Sequence, residues 1–145
     1  MAKIRVKVSI TIKRHPEAVW DYTQDYSRRM EWDKSVLKTI VLSENPRRIQ
    51  IEGSGRLRTE LLYKLDDRPR KTTLQMINTS SAFFEGGGGS WEYIPDGANT
   101  IWIQTNTLVL KDNFICRLIR PFVALGFRIN TRRAMVLAKK KIEMQ

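Results

Sequence analysis

From Ser35 to Lys111 the chain reads as six strands cut by turn signals, and this run constrains its fold more than any other feature. The signals stand at Glu44-Asn45-Pro46, Gly53-Ser54-Gly55, Asp66-Asp67-Arg68-Pro69 and Pro95-Asp96-Gly97. Their spacing favours antiparallel hairpins over the long crossovers that parallel strands require. In the third strand Leu57, Thr59, Leu61, Tyr63 and Leu65 share one parity, so one face meets a core while Arg56, Arg58 and Glu60 meet water.

The flanks complete an α+β pattern. Ile4, Val6, Val8, Ile10 and Ile12 alternate with Lys3, Arg5, Lys7, Ser9, Thr11 and Lys13, which predicts a half-buried first strand. Pro16 followed by Glu17 marks a helix start, because proline lacks only a hydrogen that is unpaired there anyway. A short helix is expected from Pro16 to Asp25, with another turn over Tyr26 to Trp32. From Asn113 to Met144, Phe114, Leu118, Phe122, Leu125, Ile129 and Val136 return at steps of three, four or seven, which predicts one long amphipathic helix. Pro121 should kink it or leave a short broken first segment near Arg120.

Composition narrows the setting. A single cysteine, Cys116, cannot close an internal disulfide, and the N-terminus enters strand alternation without a signal-peptide core, so a cytoplasmic location is expected. The longest apolar run, Phe122 to Phe127, is far short of the roughly 20 residues a spanning helix needs. The net charge of +11 is uneven, with nine basic side chains against Asp112 and Glu143 in residues 111–145. Such a field attracts anionic ligands, acidic membranes or polyanions. Without a recognisable nucleic-acid module, no sequence-specific nucleic-acid binding is expected, and contact with an acidic membrane surface should be weak.

Several junctions carry a resemblance. His15-Pro16-Glu17-Ala18-Val19-Trp20-Asp21-Tyr22 follows the first strand, Glu31-Trp32-Asp33 precedes the second, and Gly89-Ser90-Trp91-Glu92-Tyr93 with Gly97-Ala98-Asn99-Thr100 leads into the last. On these residues the chain resembles the START-like superfamily (SRPBCC), particularly its polyketide cyclase/dehydrase and lipid-transport branch. The resemblance implies a helix-grip fold over residues 1–145. A curved antiparallel sheet of about seven strands would wrap a long C-terminal helix, with two short helices after the first strand. It also implies a hydrophobic small-molecule ligand, a lipid or polyketide, held between sheet and helix. It supplies no fixed catalytic set.

Residue types then suggest the lining. Trp32 is expected at the mouth, with Trp91, Trp102, Tyr63, Met76 and Phe83 on the concave face of the sheet. Phe114, Leu118, Phe122 and Leu125 are expected to close the far wall from the helix. A cyclase or dehydratase would need a carboxylate of raised pKa in an apolar pocket, for which Glu31, Asp33, Glu85 and Glu92 are the candidates. His15, at a strand-to-helix junction, reads as a cap or turn residue. One histidine and one cysteine on separate elements cannot supply a tetrahedral zinc site, so no metal and no cofactor are expected. Gly86-Gly87-Gly88-Gly89 lacks the lysine and following helix of a phosphate loop, and reads instead as a bulge, bend or close backbone approach.

Overall fold

The computed structural model describes residues 2–145. β1 (Ala2–Ile12) leads to α1 (Pro16–Thr23), a 3-10 turn at Tyr26–Arg28 and α2 (Arg29–Trp32). The meander follows as β2 (Lys38–Glu44), β3 (Arg47–Glu52), β4 (Arg58–Asp67), β5 (Lys71–Thr79), β6 (Phe84–Asp96) and β7 (Asn99–Leu110), and α3 (Phe114–Glu143) ends the chain. The strands form one antiparallel sheet in the order β1-β7-β6-β5-β4-β3-β2. β1 and β2 are neighbours in sequence but lie at opposite edges of this sheet. The link between them must therefore cross its width, and α1 and α2 make that crossing.

Local chemistry sets the helix ends. His15 occupies the N-cap of α1 without a side-chain cap bond, and Pro16 starts the helix. Asp25 caps the 3-10 turn by accepting from Ser27 N–H at 3.1 Å, and Asn113 caps α3 by accepting from Cys116 N–H at 2.8 Å. α3 is one continuous helix through Pro121, so the short broken first segment, one of the two outcomes expected near Arg120, does not form. Proline there denies the Arg117 carbonyl its helical donor, but its ring lies at the exposed side of the helix.

β1 alternates as expected: Ile4, Val6, Val8 and Ile12 are buried, Ile10 is partly buried against them, and Lys3, Arg5 and Lys7 are exposed. Trp91 and Tyr93 of β6, Trp102 and Leu110 of β7, and Ala134, Met135, Ala138 and Ile142 of α3 pack against them. Ala134 and Ala138 are small enough to bring the helix close. Polar groups lock its C-terminal end. Arg14 Nη2 donates to the Glu143 and Gln145 carbonyls at 2.7 and 2.8 Å, and Lys139 Nζ donates to the Thr11 carbonyl at 2.6 Å.

In β6 the register shifts between Phe84 and Gly86 and is then continuous to Asp96, so the bulge precedes the glycine run. A Cβ on Gly89 would lie 2.6 Å from Asn106 Oδ1. Glycine at 89 thus makes room for a polar side chain from the neighbouring strand.

Candidate functional site: a cavity between sheet and helix

The concave face is filled at one side and hollow at the other. Over β1, β6 and β7 the aromatic rings interlock. Trp32, Trp91 and Trp102 meet pairwise at centroid distances of 5.6–6.0 Å and steep angles, and Tyr93 stacks on Trp102 at 6.1 Å. Such edge-to-face contacts set the positive edge of one ring against the negative face of the next.

Towards β3, β4 and β5 the face opens into a cavity of about 390 Å³. Its sheet wall is Ile51, Leu57, Leu61, Met76, Phe84 and Leu108, with Thr59, Gln104 and Asn106 as polar members. The helix wall is Val123, Gly126, Phe127, Asn130, Thr131 and Ala134. α2 and the turn after it close one end with Arg29, Trp32, Asp33, Ser35 and Val36. A mostly apolar cleft with a few polar groups is the usual form of a small-molecule site.

The polar groups are ordered. Asp33 accepts from Arg29 Nε and Nη2 at 3.1 and 2.9 Å, and from Ser35 N–H and Oγ at 3.2 and 2.6 Å. Burial pushes the Asp33 carboxyl up, but the Arg29 charge and the hydrogen bonds from Ser35 and Arg29 outweigh it, and its pKa falls below the ordinary carboxylate value. The Arg29 guanidinium lies 4.5 Å from the Trp32 ring centroid and 5.1 Å from that of Trp91, within cation–π range. Its Nη1 makes no hydrogen bond to the described residues. On the sheet wall Trp91 Nε1–H donates to Asn106 Oδ1 at 3.1 Å, and Asn106 Nδ2 donates to Gln104 Oε1 at 2.8 Å.

Of the residues expected to line a pocket, Trp32 and Met76 border the cavity. Trp91 and Trp102 do not, because they fill the core against one another and are 3% and 0% exposed. Tyr63 belongs to a second cluster with Tyr26 and Ile49. Its hydroxyl donates to Gln24 Oε1 at 2.8 Å and meets the Tyr26 hydroxyl at 2.6 Å, so it is spent on holding the α1 region to the sheet. Phe83 stands in the turn before β6, half out in solvent, and its neighbour Phe84 reaches the cavity instead.

Phe114, Leu118, Phe122 and Leu125 face solvent, 59–76% exposed, and do not close the far wall. The larger side chains mark the outer face of α3. The inner face mixes Phe127, Met135 and Ile142 with small and polar residues such as Ala134, Ala138, Asn130 and Thr131, which a count of bulky apolar side chains passes over. The signal that finds it is the parallel series Cys116, Val123, Phe127, Ala134 and Ala138. Gln104 and Asn106 were legible in the same way, since they share the inward parity of Trp102 on β7.

The carboxylates separate clearly. Glu31 accepts from the Tyr22 hydroxyl at 2.9 Å, Glu92 alternates with the inward Trp91 and Tyr93, and Glu85 stands exposed in the bulge beside the inward Phe84. Asp33 alone of the four borders the cavity, as an ionised partner of Arg29.

The family comparison matches residues 3–143 to the polyketide cyclase / dehydrase and lipid transport family. The chain belongs to this family. Among solved structures it is similar to the Zhui aromatase/cyclase from Streptomyces sp. R1128, at TM-score 0.84 and 14% identity over 98% of this chain and 94% of that one. It is also similar to TTHA0849 from Thermus thermophilus, at TM-score 0.82 and 20% identity over 95% and 96% of the two chains. A START superfamily protein from Mycobacterium smegmatis aligns at TM-score 0.66 and 10% identity over 92% and 99%. At these identities the likeness establishes the shared helix-grip fold. No curated protein matches the chain in sequence. Among the described residues, no helix is long and apolar enough to cross a membrane.

Proposed function

We propose that this family member binds an apolar small molecule carrying an oxygen or anionic group, held between α3 and the β3–β5 side of the sheet. The observation that carries the reading is the cavity's asymmetry. Its long walls are Leu61, Met76, Leu108, Val123 and Phe127, and one end presents Arg29 with an uncommitted Nη1. Apolar surface leaving water drives entry, and a donor at one end orients the ligand. The small-molecule character of the family, and the aromatase/cyclase named among its structural relatives, agree with this class of ligand. Carriage fits the groups at the site better than acid–base catalysis, because Asp33 is held ionised and shielded by Arg29 rather than kept protonated for transfer.

The test is a titration with parinaric acid, a fluorescent fatty acid, into the wild type and two variants. Saturable 1:1 binding should be retained by Phe122→Glu, on the outer face of α3, and strongly weakened by Gly126→Trp. Gly126 lines the cavity, and a Cβ there meets nothing within 4 Å. Binding unchanged by Gly126→Trp but lost in Phe122→Glu would reject the cavity as the site.

A further inference from the structure

α3 has two apolar faces on opposite sides, and only one is covered. Cys116, Ala134, Ala138 and Ile142 point inward and are buried. Phe114, Leu118, Phe122, Leu125, Ile129 and Val136 run along the other side, and Phe114 and Phe122 are 75% and 76% exposed. A contiguous apolar stripe of this kind on a folded protein marks a surface that meets something else. From Phe114 to Ile129 it extends roughly 24 Å at 1.5 Å per residue.

Charge selects the partner. Within α3 the sole carboxylate is Glu143, while Arg117, Arg128, Arg132, Arg133 and Lys140 accompany the stripe. Arg117 reaches Asp112 at 3.8 Å, and among the described residues the other four enter no ion pair. Lys3 and Arg5 of the edge strand β1 add charge beside Arg120 and Pro121. A second copy docked on this face would set arginine against arginine, which opposes association. An anionic lipid surface satisfies both features: the apolar side chains enter the acyl boundary, while the flanking arginines and lysines extend to the headgroups.

We infer that the outer face of α3 docks the protein on anionic membranes, with the helix lying in the interfacial plane. Gly126 and Phe127, which line the cavity, belong to the same helical turns as Phe122 and Leu125, so docking sets the cavity beside the lipid. Docking itself does not depend on what the cavity holds.

The experiment is flotation of the full chain with phosphatidylcholine vesicles, with and without phosphatidylserine, over a range of salt. Partition should require phosphatidylserine and fall as salt rises. Leu118→Glu combined with Phe122→Glu should lower it by about tenfold or more, with the thermal melt unchanged because both positions are exposed. Arg132→Gln and Arg133→Gln should each lower it roughly fivefold at low salt. Absence of partition, or partition indifferent to these substitutions, would overturn the inference. So would a dimer that the Glu substitutions dissolve, which would assign the stripe to a second copy. The parinaric acid titration reads the cavity separately, so either conclusion can fail alone.

Discussion

The two ends of α3 meet the same sheet under different terms. From Met135 to Ile142 the inward residues are buried against β1 and the aromatic cluster, and Arg14 and Lys139 tie the end in place. From Val123 to Ala134 the helix borders a hollow, with Val123 and Phe127 only partly covered, and from Phe114 to Ile129 its outer face is apolar. The difference teaches that stability and binding occupy separate stretches of one helix. Close packing at the C-terminal end frees the N-terminal end to leave a gap beneath it.

Breaking the polar end of the cavity should have the largest effect. Asp33→Ala leaves the Arg29 guanidinium buried without its partner, which costs about 3–5 kcal/mol, measurable by urea denaturation. The same pair gives a pH dependence. The folded pKa of Asp33 is lowered, so its contribution is present above the unfolded value of about 3.9 and is lost as pH falls through the lower folded value. Acid denaturation curves of the wild type should show this loss below about pH 4, and Asp33→Asn should flatten it.

Next in size is the contrast between the two ends. Met135 is fully buried, so Met135→Ala should cost about 2–5 kcal/mol. Leu118→Ala, at 63% exposure, should change stability by no more than about 0.5 kcal/mol. Equal losses at the two positions would mean that the outer stripe is covered in solution. The smallest effect is a gain: Gly126→Ala should stabilise by about 0.5–1 kcal/mol, since the added methyl meets nothing and the helix loses its most flexible residue.

Fold and site were not equally legible in the sequence. The strands and helix starts were readable because alternation, Pro16 and the turn residues are local signals, and from Lys3 to Val8 β1 alternates strictly between exposed and buried. The site depended on which face of α3 turns inward, and bulk pointed the wrong way. Phe114 and Phe122 dominate the periodicity, yet the helix is seated by Ala134 and Ala138, whose small size is what permits contact. The tryptophans posed a similar ambiguity. Sequence places Trp91 and Trp102 on the inward face, but only the packed structure distinguishes rings that line a cavity from rings that fill it.

Methionine methyl resonances test the central claim most directly, because Met76 lines the cavity and Met135 lies in the sealed core beneath the same helix. With 13C-methyl methionine labelling and parinaric acid as titrant, the Met76 signal should shift saturably at the affinity seen by fluorescence while Met135 stays unmoved. A Met76 signal that does not respond, or a Met135 signal that shifts in its place, would contradict a ligand site on the open side of the sheet.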